Sequence, residues 1–262
     1  MPRKIFFPLI SLWLAALACN LPVPTPAPAA DWPPRTKAPS ATPNASGTEA
    51  VLSPAQQNCF NSYQPVAVGA SWAYQISGIT NDTYTRSITA VSADGFSGQD
   101  VFASGATRSS DWKCAGGDLA DLSGGANVAA GGANFSFVTK ASSGISLPAK
   151  LQPGVAWTQL VVLEGEQDAG GQKILTRNNV SINCSAVKTE TVSVPAGTFD
   201  ALRLECVTKM EILTVNGDTT TPLASFEFPG SAWYAPGVGM VKSEGEAMGG
   251  KTLVVLTSYS LP

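Results

Sequence analysis

Apolar and polar residues alternate along much of the second half of the chain. Between residues 202 and 212 the even positions are mainly apolar and the odd positions are mainly charged, and residues 180–186 alternate in the same way. A period of two gives a strand one buried face and one solvated face, which is the pattern of an antiparallel sheet. No stretch sustains a 3.6-residue apolar period, so no major helix is predicted.

Turn residues separate the predicted strands. Asn216-Gly217 is the strongest signal, because a type I′ hairpin turn needs positive φ at both central residues. Residues 93–95, 169–171 and 249–250 also fit tight hairpins, and residues 195–198 connect two further strand-like runs. These signals predict roughly a dozen strands and an all-β fold.

The four tryptophans of this region stand in repeated surroundings. Trp72 and Trp157 each follow a glycine by three residues, and Trp112 and Trp233 each precede a glycine by four. We interpret the region as two related β-meanders, about 60–155 and 156–262, sharing one core in a curved antiparallel sheet or half-open β-barrel. Chance coincidence in a glycine-rich chain is the alternative.

The first 18 residues have the layout of an export signal. Two basic residues precede an apolar run over residues 5–18, which is shorter than the roughly 20 residues of a membrane-spanning helix. The residues Ala16-Leu17-Ala18-Cys19 resemble the lipobox of bacterial lipoproteins. This resemblance implies cleavage before Cys19 and lipidation of that cysteine, hence anchorage to a membrane. An ordinary cleaved signal is the alternative.

A Pro-rich segment follows over residues 19–57. It holds nine prolines, four of them at every second position from Pro22 to Pro28, and few large apolar residues. Such a segment cannot bury enough surface to offset its ordering entropy. We interpret it as a tether with a reach on the order of 100 Å; a ligand for a partner domain is the alternative. Residues 58–262 are then one β domain.

Composition excludes several functions. Without Arg3 and Lys4 the 16 basic residues become 14, against 19 acidic residues, so the net charge is −5. No basic stripe is present, and nucleic acid is not an expected partner. The chain has no histidine, which removes Ser-His-Asp triads, Cys-His pairs and His-ligated zinc. We expect no cofactor, no metal and no enzymatic activity.

Four cysteines remain after Cys19. Cys184 and Cys206 both fall on the apolar face of their predicted strands, and those strands flank one short connection. An even number of cysteines in an exported domain favours disulfides. We predict that Cys184 pairs with Cys206, which leaves Cys59 with Cys114; buried free thiols and a metal site are the alternatives.

Three segments carry a resemblance to a known family. VGASWAY (68–74), ETVSVPAGTF (190–199) and WYAPGVGMVK (233–242) resemble an uncharacterised family of exported bacterial proteins of unknown function, many of them lipoproteins. That family is similar to the half-open β-barrel of periplasmic lipoprotein carriers, a curved sheet that holds acyl chains. The resemblance implies this fold more directly than a ligand. It also implies a place on the extracytoplasmic face of a bacterial membrane, at the cell surface or in the periplasm.

Three groups of acidic residues are candidate chemical sites: Glu164, Glu166 and Asp168; Asp118 and Asp121; Glu244 and Glu246. The first group alternates along one strand face, which fits Ca²⁺ or a solvated edge that discourages sheet pairing. The second group lies near a Gly-Gly pair and has the same two interpretations. The third group shares a strand face at a spacing compatible with a carboxylate pair.

Three functions fit these observations. The first is a non-catalytic module that binds an apolar or amphipathic ligand, such as a lipid, in the concavity of the sheet. Its candidate contacts are Trp72, Trp112, Trp157 and Trp233, for which burial in the core is the alternative role. The second is a structural or interaction module that engages envelope proteins or polysaccharide. The third is a hydrolase whose two carboxyl groups face each other within about 10 Å.

Overall fold

The computed structural model describes residues 57–123, 127–130, 133–135, 137–169, 172–247 and 250–262. The export signal, Cys19 and the tether up to residue 56 lie outside the described residues. Helical conformation in the described ranges is confined to Gln57 and Asn58, and none of it is long and apolar enough to cross a bilayer. The strands are β1 Ser71–Gly78, β2 Asp82–Val91, β3 Gly95–Phe102, β4 Thr107–Ala115, β5 Asp118–Asp121, β6 Asn127–Ala130, β7 Ala133–Phe135, β8 Val138–Gly144, β9 Ala156–Ala169, β10 Gln172–Val194, β11 Gly197–Asn216, β12 Thr219–Ala235, β13 Gly239–Ala247 and β14 Gly250–Ser260.

All fourteen strands belong to one antiparallel sheet that is nearly closed into a barrel. Their order is β7-β6-β4-β3-β2-β1-β14-β13-β12-β11-β10-β9-β8, and β5 also pairs with β4. The two ends of the sheet meet where Leu119 of β5 and Leu147, just after β8, exchange backbone hydrogen bonds of 2.9 and 3.0 Å. The side chain of Gln159 in β9 also donates to the carbonyl oxygen of Asp121 at 2.6 Å. The predicted all-β fold with a curved antiparallel sheet and no major helix is confirmed.

Strand register divides the side chains into an inner and an outer face. Directly opposite residues in antiparallel strands share a face, so the buried residues Tyr74 and Tyr84 mark the inner face of β1 and β2, as Leu204 does for β11. One end of the interior is filled by side chains that are at most 3% exposed: Trp72, Tyr74, Leu119, Leu202, Leu204 and Leu256. A smaller cluster of Val161, Leu163 and Val180 lies farther along β9 and β10.

Residues 57–67 cover the filled end of the barrel. The Asn58 side chain donates to the Ala93 carbonyl oxygen at 2.8 Å and accepts from the Gly116 backbone N–H at 2.8 Å. The Gly237 N–H donates to the Ser62 carbonyl oxygen at 2.7 Å. These contacts join the β2–β3, β4–β5 and β12–β13 turns, and we call this the closed end. The β1–β2, β3–β4 and β11–β12 turns lie at the opposite end, which we call the open end.

Both disulfides have the predicted connectivity. Cys59 bonds to Cys114 and ties the covering segment to β4. Cys184 and Cys206 are directly opposite in β10 and β11, with Cα atoms 4.1 Å apart. Two disulfides are typical of a domain that folds outside the cytoplasm.

The motifs of Trp72 and Trp157 begin in the same way at the start of their strands. Gly69 and Gly154 precede β1 and β9 with φ of 86° and 92°, a conformation that favours glycine. The Gly69 N–H donates to Ile88 of the next strand at 3.0 Å, and the Gly154 N–H donates to Ala186 of its next strand at 2.8 Å. At these motifs, β1–β2 corresponds to β9–β10.

Candidate functional site

The inner face of β10–β12 carries an apolar surface toward the open end. Its members share the face of Cys184 and Cys206 but lie beyond the disulfide, and we call them the apolar strip: Ile182, Met210, Ile212, Phe226 and Phe228. The rings of Phe226 and Phe228 stack with centroids 6.0 Å apart. Phe226 is 40% exposed, whereas Leu204 on the same face is 3% exposed.

The strip is only partly covered, because the part of β12 that carries it has a single neighbouring strand. Pairing of β12 with β13 begins at Gly230, so residues 219–229 pair with β11 alone among the described strands. We call residues 219–229 the unpaired stretch, because one of their two edges has no neighbouring strand among the described strands. Pro222 and Pro229 lie in it, and a residue without a backbone N–H discourages a further strand from joining the edge. The inner face beside this edge therefore has no further described strand next to it.

A row of three charged residues crosses the inner face on the opposite wall, on β2, β3 and β4. Asp100 accepts from Arg86 Nε at 2.9 Å and Arg86 Nη2 at 3.1 Å. It also accepts from Arg108 Nε at 3.0 Å and from Arg108 Nη2. Asp100 is 5% exposed, but the side chains of Arg86 and Arg108 are each 32% exposed. Two accessible cations thus share one buried carboxylate.

Stacked aromatic rings form a second row beside these charges. Tyr74 stacks on Tyr84 with centroids 5.0 Å apart, and Tyr84 stacks on Phe102 at 5.1 Å. The guanidinium carbon of Arg86 lies 5.9 Å from the Tyr84 centroid, and that of Arg108 lies 5.8 Å from the Phe102 centroid. Each arginine therefore rests against an aromatic ring, which orients its guanidinium and favours its charge.

The electrostatics follow from burial and from the shared carboxylate. Burial opposes ionisation of Asp100, but the hydrogen bonds and charges of Arg86 and Arg108 outweigh it and hold the pKa of Asp100 below its usual range. Burial raises the pKa of Tyr74 and of Tyr234, and the positive charge of Arg86 opposes both rises. Because Tyr234 belongs to β12, Arg86 faces the wall of the barrel that also carries the apolar strip.

The other cations of the described strands lie on the outer face. On β9–β14 every Lys, Arg and Glu whose side chain is described alternates away from the inner face. Of the acidic residues on the inner face, Asp82 accepts from Ser104 at 2.7 Å and Asp121 accepts from Ser123 at 2.7 Å, each beside a turn. Neither contacts the arginine pair in the described structure, so Asp100 alone balances two positive charges.

A groove of about 870 Å³ lies on the outer face. Gly230 and Gly245 form part of its floor, and Glu205, Ser231 and Glu244 flank it. These flanking side chains are cross-strand neighbours that point away from the core. Cys184 and Cys206 of the inner face also line this groove.

The predicted carboxylate pair lies at this groove, but each member contacts a lysine. Glu244 accepts from Lys242 Nζ at 2.6 Å, and Glu246 lies 3.4 Å from Lys251 Nζ. All these side chains are solvated enough to weaken their ion pairs. Neither carboxyl group of this pair lies in a dry site.

The other acidic groups contact cations or backbone. Glu164 accepts from Arg177 Nε at 2.7 Å and lies 3.3 Å from Lys140 Nζ, and Glu166 lies 3.1 Å from Lys173 Nζ. The side chain of Asp168 lies outside the described residues. Asp118 accepts from the Ala149 N–H at 2.7 Å. No group of three or more Cys, Asp or Glu side chains in the described ranges is placed to hold a metal ion.

Trp72 and Trp233 are buried, at 1% and 5% exposure. The Trp72 indole N–H donates to the Val238 carbonyl oxygen at 2.6 Å. Trp233 donates to Glu190 at 2.7 Å, and its ring lies 4.5 Å from Lys242 Nζ. Trp72 is buried on the inner face, whereas Trp233 shares the outer face with Arg203 and Lys242, directly opposite it in the register. Neither ring leaves a face for a ligand from solvent.

Trp112 and Trp157 are half-buried. Trp112 stacks on Phe96 with centroids 5.4 Å apart and lines a groove of about 350 Å³ at the closed end. The Trp157 indole N–H donates to the Ser146 carbonyl oxygen at 3.1 Å. A ligand contact by these two residues stays a prediction.

The charged row was missed by the sequence interpretation, although the sequence carries a signal for it. Arg86 stands in phase with Tyr84 and Ile88, and Arg108 stands in phase with Trp112. A cation on the apolar phase of a strand is costly unless it has a partner. The partner, Asp100, comes from a third strand, and period-two alternation does not identify it.

The chain is similar to a known family and to solved structures of low sequence identity. A model of the DUF3108-like family matches residues 68–255. The comparison with curated proteins finds no match. Among solved structures, a presumed exported protein with a YmcC-like fold from Bacteroides fragilis is 16% identical, with a TM-score of 0.46, and the match covers 77% of this chain and 100% of that chain. A presumed lipoprotein from Parabacteroides distasonis is 14% identical, with a TM-score of 0.41, and the match covers 76% of this chain and 99% of that chain.

Proposed function

The chain belongs to the DUF3108-like family, and we propose that it is a membrane-anchored extracytoplasmic protein that binds an amphipathic ligand against the inner face of its barrel. The observation that carries this proposal is the exposure of Phe226, 40%, on the same face as the buried core residue Leu204. Burying a fully exposed phenylalanine side chain stabilises by roughly 1.5–3 kcal/mol. Phe226 has 40% of its surface left to cover, so an apolar chain lying on it would gain about 1 kcal/mol at this residue.

The two ends of the barrel differ in a way that supports entry at one of them. The closed end is covered by residues 57–67 and filled by Trp72, Leu119 and their neighbours. The filled end leaves no room for an apolar ligand, so the site is confined to the apolar strip and the space facing it. The open end carries the unpaired stretch of β12.

Anchorage through Cys19 is the second part of the proposal. A lipid on Cys19 and a tether of 38 residues up to Gln57 would hold the domain near a membrane without fixing its orientation. Cells fed radiolabelled palmitate should label the wild-type chain and leave Cys19→Ser unlabelled. Labelling of Cys19→Ser to the same extent would contradict lipidation at this residue.

Native mass spectrometry tests ligand binding. The chain from residue 20 to residue 262, the mature chain without Cys19, is exported behind a cleavable signal so that both disulfides form, and it is purified without delipidation. We expect an adduct of lipid mass that denaturation removes. Phe226→Asp should lose the adduct, because a charge on the apolar strip must be desolvated when the ligand binds.

The matched control is Leu160→Asp. Leu160 is 48% exposed and lies on the outer face of β9, since Val161 points inward. This variant adds the same charge to an equally exposed apolar position and should keep the adduct. A clean mass for the wild-type protein, together with no binding of added oleate, would refute ligand binding on the inner face.

A second candidate function is recognition of an envelope polysaccharide at the Trp112 groove. The half-buried ring of Trp112 and the carboxylates of Asp94 and Asp111 line that groove, an arrangement suited to a sugar ring. Sedimentation with isolated cell-wall polysaccharide tests it. Binding that Trp112→Ala abolishes would favour this function, and absence of binding by the wild-type protein would remove it.

A further inference from the structure

We propose that the ligand carries an anionic head group and that Arg86 and Arg108 bind this group inside the barrel. The inference rests on the proposed function, because it names the chemistry of the ligand for the same inner face. A carboxylate or a phosphate on an apolar chain has the required chemistry.

The first argument is the balance of charge. Asp100 accepts two N–H groups from each of Arg86 and Arg108, and it is 5% exposed. Each guanidinium has more N–H donors than the two that Asp100 accepts. A second anion can therefore bind the arginine pair without breaking the bonds to Asp100, and it would neutralise the remaining positive charge.

The second argument is the contrast with the arginines of the outer face. On the outer face Arg203 pairs with Glu205, and Arg177 shares Glu164 with Lys140. Outside, water stabilises any unbalanced charge. Inside, an unbalanced guanidinium is stabilised less by solvent and attracts an anion more strongly.

The third argument is access. The Arg86 and Arg108 side chains keep 32% of their surface accessible although they share a face with buried neighbours. Arg108 is the second residue of β4 and lies close to the β3–β4 turn at the open end. A head group entering from the open end therefore meets Arg108 first.

The arginine pair and the apolar strip lie on facing walls. Arg86 acts on the pKa of Tyr234 in β12, the strand that also carries Phe226 and Phe228. Tyr234 is six residues from Phe228, a separation of about 20 Å along a strand. An extended lipid with its head at the arginine pair and its chain on the strip has a length of this order.

Arg108→Gln is the decisive variant, since it removes one cation and leaves the bidentate pair of Arg86 with Asp100 intact. Oleate, oleyl alcohol and inorganic phosphate are titrated into the mature wild-type chain and the variant. We expect the wild type to bind oleate at least about tenfold more tightly than oleyl alcohol, from the charge-assisted hydrogen bonds. Arg108→Gln should remove most of that difference and leave the affinity for oleyl alcohol unchanged.

Two further variants separate binding from folding. Arg108→Lys keeps the positive charge and should retain most of the oleate affinity. If Arg108 had a purely structural role, neither Arg108→Lys nor Arg108→Gln would change the preference for oleate over oleyl alcohol. Arg177→Gln is the matched control, because it removes an arginine–carboxylate pair from the outer face. It should bind oleate as the wild type does.

Each outcome has a distinct meaning. Equal affinity of the wild type for oleate and oleyl alcohol, unchanged by Arg108→Gln, overturns the head-group inference and leaves the proposed function standing. Binding of neither lipid overturns both. Binding of inorganic phosphate as tightly as oleate, lost in Arg108→Gln, supports the anion site and overturns the requirement for an apolar chain. Dihexanoyl phosphatidylglycerol is added as a competitor of oleate. If it displaces oleate from the wild type and not from Arg108→Gln, a phosphate head group is an accepted source of the anion.

Discussion

Removal of the Cys59–Cys114 disulfide should cost more stability than removal of any other single crosslink of the described structure. The bond closes a sequence separation of 55 residues, whereas Cys184–Cys206 closes 22. It also holds the segment that covers the closed end of the barrel. The perturbation is the double substitution Cys59→Ala with Cys114→Ala, which avoids an unpaired thiol.

The expected magnitude follows from loop length and burial. On the chain-entropy model the longer loop accounts for about 4.2 kcal/mol and the shorter loop for about 3.4 kcal/mol. Cys59 and Cys114 are 0% and 4% exposed, so loss of two buried sulfur atoms adds on the order of 1 kcal/mol. The total is a large share of the roughly 5–15 kcal/mol that stabilises a typical domain. The variant should fold but sit near its stability limit.

Urea unfolding of the oxidised proteins, followed by tryptophan fluorescence, measures this difference. The matched control is Cys184→Ala with Cys206→Ala, which removes the shorter loop from paired strands. We expect both variants to lower the midpoint, with the larger loss in the first, and an m-value that rises because the unfolded chain expands. A loss below about 1 kcal/mol for the Cys59 and Cys114 variant, or a larger loss in the control, would refute this reasoning.

Three other predictions concern the charged row and the glycines. Asp100→Ala should lower the free energy of unfolding by about 3–5 kcal/mol in urea titrations, because it leaves two cations without their buried carboxylate; a loss near zero would show that water replaces it. Since the folded pKa of Asp100 is lowered, its contribution is present above the ordinary Asp range and is lost as the pH falls through the folded value. Unfolding at a series of pH values should show this acid loss in the wild type and less of it in Asp100→Asn, and identical profiles would contradict it. Gly78→Ala should lower the melting temperature clearly more than Gly217→Ala. A Cβ at Gly78 would lie 2.0 Å from the Lys251 carbonyl oxygen, whereas a Cβ at Gly217 would lie in open space and only its φ of 59° would be strained. Equal melting temperatures would show that β1 and β14 shift apart without cost.

Local sequence determined the strands and the hairpins. Alternation along residues 180–186 and 202–212 was sufficient to place Cys184 and Cys206 on one face. The two strands are joined by a short turn at which Val194 pairs with Gly197, but a bulge between Ala186 and Lys188 shifts the register by one residue before the disulfide. The shared apolar phase of the two cysteines made the pairing predictable, whereas the turn alone does not place them opposite each other.

Tertiary structure decided how the sheet closes and which residues share its interior. β1 pairs with β14, as in Trp72 opposite Tyr259, across more than 180 residues, and no turn fixes this register. The contact between Leu119 and Leu147 depends on the curl of the whole sheet. The sequence assigns Arg86, Asp100 and Arg108 only to the apolar phase of their own strands. The pairing of β2, β3 and β4 decides that the three side chains meet.

The candidate site was beyond the sequence for the same reason. Alternation states that a side chain is on a face, but the pairing of strands decides which side chains on that face meet. Asp100 is buried between two arginines, and Phe226 is exposed within the unpaired stretch of β12. Both results depend on where the neighbouring strands begin and end. Those limits come from packing of the complete barrel, since free energy is gained only when distant strands close around a common core.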